Sequence, residues 1–357
     1  MWLHKLPGWP TPSLTFISAL RLYLRLSPAP KHSPHPINIF NGPVWSRNRN
    51  QCCVTQRSAS SPFLKVRLDN ISSINYGDAE NVIAIFVNGE SGSGWWYEGA
   101  GIYRHVHLVS TSPLHIDLYG VFAPAVVTGA LTVRANSSEG VLAASADVHV
   151  EVNIANYGLH SSPVCAHSVL FARDGVIGGT ANMQGVVAAG GAARLNGTIT
   201  LSGADGVELW SIPRPYLYTL QTSITACGNA ATVLDSVNTT VGVRTLKYLA
   251  ETGFSMNGQP TKVRGFCDHN DFASVGMAVP DRINLFRAQA SRSVGGNGRR
   301  TSHNPPNPGM LSIYDRVGVV VMDENRLFAN DTNYVFNMGQ MVQRDRQHPR
   351  LVGLSHR

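Results

Sequence analysis

The sequence predicts a multidomain chain, β in its first two thirds and α/β after that. Three observations predict it. Short alternating or apolar runs recur from about residue 61 to 243, separated by Gly, Asn and Asp. After about residue 250, strand-like apolar runs alternate with helical patterns, as in a parallel sheet or β/α barrel. The 357 residues are 43% hydrophobic and only 14% charged, a globular composition with enough apolar surface for two or three domains.

The elements follow in order. Residues 1–60 carry no sustained periodicity, and seven prolines from Pro7 to Pro36 argue against long elements. Residues 81–87 form an apolar run bounded by a Gly/Ser turn at 89–94. Strands are expected at 102–109 and 114–118. Six further candidates, 130–135, 146–154, 164–171, 192–201, 218–225 and 236–241, have the spacing of one immunoglobulin-like sandwich. Beyond them, 262–265, 296–300, 317–322 and 351–354 read as strands. Residues 280–292, with Pro280 at the start, 310–316 and 334–346 read as helices.

The net charge of +7 does not indicate a nucleic-acid surface. Nine basic residues precede the first acidic one, Asp69; with those nine set aside, 20 basic residues face 22 acidic ones. No basic stripe for phosphates is present, so no nucleic-acid partner is expected. The run at 14–20 is too short for a membrane span and lacks a signal-peptide plan. The Arg-rich head fits an organellar presequence loosely; non-native sequence ahead of a truncated gene is the preferred reading. The five cysteines, Cys52, Cys53, Cys165, Cys227 and Cys267, are odd in number and irregular in spacing, so neither a zinc site nor a disulfide framework is expected. Five N-x-S/T triplets arise too easily by chance to argue for secretion. The cytoplasm is the expected compartment, and no membrane partner is expected.

Eight phrases then carry a resemblance. Residues 94–104 read G-W-W-Y-E-G-A-G-I-Y-R. Residues 209–218 read L-W-S-I-P-R-P-Y-L-Y, and 241–244 read V-G-V-R. Residues 253–258 read G-F-S-M-N-G, and 264–271 read R-G-F-C-D-H-N-D. Residues 300–306 read R-T-S-H-N-P-P, with D-R-V-G-V-V-V-M-D-E at 315–324 and R-D-R-Q-H-P at 344–349 after them. In type and order these phrases resemble family 2 of the glycoside hydrolases, on its β-galactosidase side. The resemblance runs from about 63 to 353 and leaves 1–60 unmatched. It implies a partial jelly-roll sugar-binding domain over 61–122, an immunoglobulin-like β-sandwich over 123–243, and the first four strands of a TIM (β/α)8 barrel over 250–357.

Barrel active sites lie at the C-terminal ends of the strands. The sequence places His269 just past the first barrel strand, Arg300, His303 and Asn304 just past the second, and Asp323 and Glu324 just past the third. The resemblance implies that His269 and His303 hydrogen-bond galactose hydroxyls and that Arg300 orients a catalytic carboxylate. His269, Arg300, His303, Asn304 and Glu324 are therefore the candidate substrate-binding residues. The structural alternative is barrel-rim architecture, with Arg300 paired to a carboxylate and Glu324 capping a loop; Asp271 fits a turn equally well. Trp95 and Trp96 could stack on sugar, although packing at a domain interface is the preferred role, and Trp210 is expected in the core.

A retaining glycosidase needs two carboxyl groups about 5–5.5 Å apart, one acid/base and one nucleophile. In the family the first belongs to an Asn-Glu pair after a phrase like H-P-S-V-V-x-W-S. Here the corresponding phrase is H-P-R-L-V-G-L-S-H-R at 348–357, with Leu354 where the family has Trp, and no Asn-Glu pair occurs anywhere in the chain. No catalytic residue is assigned, and the chain is expected to be a truncated, inactive homologue of marginal stability. No metal site is expected, since residues 325–331 lack the E-x-H-G phrase that holds Mg²⁺ in some relatives. A β-galactoside is the expected carbohydrate, the phrases at 268–271 and 302–306 favouring it over a glucuronide or mannoside. The alternatives are a non-catalytic carbohydrate-binding protein and a fragment that associates with a full-length relative.

Overall fold

A computed structural model describes residues 104–356 except 106, 136–139, 326–329 and 331. Before them it describes the backbone of six strands. The chain divides into two compact units, Met1–Val109 and Ser110–Arg357.

In the first unit, β1 (Leu22–Leu24), β2 (Ile37–Asn41), β3 (Val44–Trp45), β4 (Cys52–Thr55), β5 (Leu64–Arg67), β6 (Asn81–Phe86) and β7 (Leu108–Ser110) form two small sheets, β1-β6-β4-β3 and β5-β2-β7. Four of these strands lie in the stretch where prolines argued against long elements; none exceeds five residues. The strand expected at 102–109 starts only at Leu108, and Arg104, His105 and His107 lie outside it. Trp95, Trp96 and the 89–94 turn fall outside the described residues.

The second unit opens with the sandwich. One sheet joins β8 (Leu114–Phe122), β9 (Ala125–Val127), β10 (Leu131–Val133), β11 (Val141–Asn156) and β14 (Ala192–Glu208). The other is β13-β12-β15-β16, from β12 (Ser162–Phe171), β13 (Ile177–Val187), β15 (Tyr218–Ala226) and β16 (Asn229–Val241). Every pairing in both sheets is antiparallel. Alternation in β11 sends Ala146, Val148, Val150, Val152 and Ile154 into the core, each at most 1% exposed. Two findings correct the expectations. β8, assigned from sequence to the preceding domain, pairs with β11, and Ile116 N–H donates to the Asp235 carboxylate of β16 at 2.9 Å. The unforeseen strand β13 packs its glycines against β14: a Cβ on Gly179 would lie 2.6 Å from Ile199, and one on Gly185 2.6 Å from Leu195.

A disulfide joins Cys165 to Cys227, their Cα atoms 5.1 Å apart, where cysteine spacing promised none. The cause is register. Cys165 stands opposite Thr225 in the β12–β15 ladder, two residues from Cys227, a proximity that only tertiary pairing creates. The bridge closes a separation of 62 residues. Opening it, by reduction or by Cys165→Ala, is expected to destabilise the sandwich by about 2–4 kcal/mol, read as a lower urea midpoint.

A hairpin sheet follows, of β17 (Leu246–Leu249), β18 (Gly253–Met256) and β19 (Gln259–Pro260). Then come β20 (Gly265–Asp268), α1 (Asp281–Ser293), β21 (Gly298–Thr301), α2 (Pro308–Val317), β22 (Val320–Asn325), α3 (Thr332–Asp345) and β23 (Leu351–His356). The four strands form one parallel sheet in chain order, the expected first half of a β/α barrel. Pro280 precedes α1, and the Asn307 side chain caps α2 by accepting from Gly309 N–H at 3.0 Å. α2 ends at Gly318, whose φ is +76° and where a Cβ would lie 2.2 Å from the Ile212 carbonyl oxygen, so only glycine fits. β20 lies three residues later than the expected 262–265, and β22 runs through Asp323 and Glu324 instead of ending before them. No described helix is long and apolar enough to cross a membrane.

Sandwich and half-barrel meet at a buried seam. Trp210, Ile212, Met256 and Val320 form its apolar centre, and Trp210 is fully buried as expected. The indole Nε1–H of Trp210 donates to the Asp315 carbonyl at 2.8 Å. Asp315 also pairs with His348 at 2.5 Å and with the fully buried Arg350 at 2.7 Å. Arg244 donates to the carbonyls of Pro349 and Leu351, fastening β23 to the end of the sandwich.

Candidate functional site

The site lies at the C-terminal ends of β20, β21 and β22. Its register follows from the parallel ladder, in which Cys267 stands opposite Arg300 and Arg300 opposite Met322. His269 is the first residue after β20, and His303 follows β21 by two residues. Their rings meet edge to face with centroids 5.4 Å apart, so two loops deliver imidazoles to one place. Burial, and secondarily His303, hold the His269 pKa below the ordinary imidazole value, which keeps that ring neutral near pH 7.

Beneath them lies an ionic cluster. Arg300 Nη2 donates to Glu324 Oε1 at 2.8 Å, and His303 Nδ1 lies 3.1 Å from the same oxygen. Nδ1 is also 3.2 Å from Arg300 Nη2, but one nitrogen cannot at once donate to the carboxylate and accept from the guanidinium. The shorter, charge-assisted contact favours Nδ1–H donating to Glu324. Glu324 is fully buried, and among the described residues its Oε2 has no hydrogen-bond partner. Arg300 Nη1 lies 3.9 Å from the sulfur of Cys267, an exposed free cysteine.

Arg300 and Glu324 therefore sit inside their strands, not past them, because their polar partners lie within the sheet. The alternative for Arg300, a pair with a carboxylate, describes what is observed. The alternative for Glu324, a loop cap, does not. Asn304 N–H donates to the Thr301 carbonyl at 3.1 Å, which turns the loop behind His303. Asp271 offers its carbonyl to Arg287, at 3.2 Å.

Thr301 escaped the sequence reading, and Asp323, placed there beside Glu324, was not counted among the candidate site residues. Thr301 Oγ1 accepts from Glu324 N–H at 3.0 Å and donates to Asp323 Oδ1 at 3.1 Å, so it ties β21 to β22 directly below the cluster. Asp323, fully buried, also accepts from Glu324 N–H, at 2.9 Å. No sequence signal marks Thr301; an Asp-Glu pair closing an apolar strand could have marked Asp323. Among the described residues, no group of three or more His, Cys, Asp or Glu is placed to hold a metal ion.

Comparison with known proteins identifies the family of the fold. Residues 131–244 match the family description "Glycosyl hydrolases family 2", and residues 248–352 match "Glycosyl hydrolases family 2, TIM barrel domain". The chain is 32% identical over 285 residues to the β-galactosidase BoGH2A of Bacteroides ovatus, covering 76% of this chain and 31% of that protein. It is 26% identical over 275 residues to a β-glucuronidase of Formosa agariphila, covering 73% of this chain and 27% of the relative. It superposes on the crystal structure of a glycosyl hydrolase family 2 member from Bacteroides cellulosilyticus with a TM-score of 0.78 and 27% identity, over 94% of this chain and 44% of that one. The chain spans about a third of the length of the curated relatives it matches.

Proposed function

The chain belongs to family 2 of the glycosyl hydrolases, and from that premise we propose that the ends of β20, β21 and β22 form the hydroxyl-binding side of a β-galactoside pocket. One observation carries the reading: His269 and His303 converge edge to face above the Arg300–Glu324 pair, whose carboxylate is fully buried. A neutral imidazole such as that of His269 is suited to sugar hydroxyls, because it offers a donor or an acceptor without the desolvation cost of a charge. His269, His303 and Asn304 take the hydroxyls in this reading; Arg300 and Glu324 hold His303 in its tautomer. Charge supports a neutral sugar over a uronate. The cation of the cluster, Arg300, is neutralised by Glu324, while Arg287 and Arg299 nearby pair with Asp268.

Titration calorimetry with galactose and with glucuronate tests this. Galactose is expected to bind, and His303→Ala to weaken binding about tenfold, the worth of one good polar contact. Tighter binding of glucuronate would reverse the assignment. Retaining hydrolysis needs an acid/base and a nucleophile, and the family phrase that carries the first is not among these 357 residues. The 357-residue polypeptide is therefore expected to bind sugar without turning over a chromogenic galactoside. The Cys165–Cys227 bridge supports an oxidising compartment over the cytoplasm expected from sequence. Alkylation before reduction, read by mass spectrometry, checks whether both thiols are protected.

A further inference from the structure

Asp268, the last residue of β20, meets two guanidinium groups. Arg299 of β21 is the close one, with Nη1 2.5 Å from Oδ2. Arg287 of α1 stands 3.7 Å from the same oxygen, too far for a hydrogen bond. The Asp268 charge therefore belongs chiefly to Arg299, and the Arg287 donors are directed elsewhere. Arg287 Nη2 donates to the His269 carbonyl at 2.8 Å, and Nη1 donates to the Asp271 carbonyl at 3.2 Å. Its guanidinium carbon also lies 5.8 Å from the centre of the Phe272 ring. One side chain thus spans the backbone from 269 to 272.

Two features make this more than a surface contact. Arg287 follows the buried Asn284 by three residues, so it lies on the inward side of α1, and its side chain is only 12% exposed. The turn beyond it is closed by its own backbone: Phe272 N–H donates to the Gly276 carbonyl at 3.0 Å, and Gly276 N–H returns to the Phe272 carbonyl at 3.0 Å. Residues 269–271 lie between that closed turn and the end of β20, and there α1 supplies the donors. A rigid planar fork can reach two carbonyls at once, whereas a flexible ammonium offers a single point of charge.

We propose that Arg287 is a positioning residue for His269. By gripping the carbonyls of His269 and Asp271 from α1, it fixes the loop that brings the imidazole edge to face with His303 and presents it to the sugar. Arg287 touches no substrate in this scheme. The proposal rests on the sugar-site reading for the purpose of His269, but the loop geometry stands without it.

The ring itself reports its place. Burial first and His303 second hold the His269 pKa down, Asp271 and Asp268 oppose them, and Arg287 adds a smaller lowering. A ring released from this loop gains water and leaves His303. Its pKa then rises toward the ordinary imidazole value even where a cation is kept at position 287, which separates loss of position from loss of charge.

The test compares the intact chain with Arg287→Lys and Asp268→Asn. Lysine keeps the charge but cannot span both carbonyls. Asparagine at 268 removes the ion pair and leaves both carbonyl contacts in place. Proton NMR of the imidazoles reads the outcome. The wild type is expected to show cross-relaxation between the His269 and His303 rings, whose centroids are 5.4 Å apart. Arg287→Lys is expected to lose that signal, to raise the His269 pKa and to weaken galactose binding about tenfold in calorimetry, while unfolding near the wild-type urea midpoint. Asp268→Asn is expected to keep the ring signal. An Arg287→Lys variant with the wild-type ring contact and His269 pKa would overturn the proposal. Loss of the ring contact in Asp268→Asn would overturn it too, by assigning the loop to the ion pair. Should the lysine variant fail to fold, Asp268→Asn decides: a kept ring signal supports the carbonyl grip, and a lost one sinks it. Failure of the wild type to bind galactose, with the ring signals as stated, would remove the sugar-site reading alone.

Discussion

Replacing Asp315 by alanine is expected to cost about 3–5 kcal/mol, the usual penalty for leaving a buried charge without its partner. The stranded charge is Arg350, fully buried, whose Nη1 lies 2.7 Å from Asp315 and otherwise reaches the Leu311 carbonyl. His348 loses its acceptor as well, at 2.5 Å. Asp315→Asn keeps the volume but not the charge, so it should fall close to alanine if the ion pair dominates. A double replacement with Arg350→Met should cost less than the sum of the single changes, because both charges then leave the interior together. Urea unfolding of the four proteins checks this; additive costs would show that Arg350 draws its stabilisation from Leu311 instead.

Trp210→Ala is expected to be as damaging, about 3–5 kcal/mol from lost apolar burial and the cavity left behind. The indole is fully buried against Ile212, Met256 and Val320, and its N–H holds the Asp315 carbonyl. Trp210→Phe separates the two contributions: it keeps most of the apolar contact and removes the donor, so it should cost about 1–3 kcal/mol. Thermal and urea melts monitored by circular dichroism measure both. A Phe variant as unstable as Ala would mean that the hydrogen bond, not the volume, secures the seam.

The order of domains and the half-barrel were legible because long elements repeat their pattern. β11 alternates over 16 residues, and the helices show Pro280 and Gly318 at their ends. What stayed hidden has a common cause, dependence on a distant partner. β13 reads as a glycine-rich loop because strand propensity counts against Gly178, Gly179 and Gly185. Those positions are small because Leu201, Ile199 and Leu195 fill the space from the other sheet. The Cys165–Cys227 bridge likewise follows from register. At the site, the motif resemblance found the histidines, Arg300 and Glu324. It did not place Arg300 and Glu324 within their strands, nor find Thr301, since a lone threonine in a polar strand end has no signature. The expectation of no disulfide framework rested on cysteine spacing and missed the bridge for the same reason.

The acceptor for the Trp210 indole N–H is made late. Asp315 follows that tryptophan by 105 residues, and a ribosome adding about 5–20 residues per second needs roughly 5–20 s to supply them. Ile212 and Met256 are made within that interval, but Val320 and the acceptor for the indole N–H are not. The sandwich side of this seam is therefore expected to stay incompletely covered until then, and slowing translation between codons 210 and 315 should lengthen that exposure, read as increased chaperone association of the nascent chain.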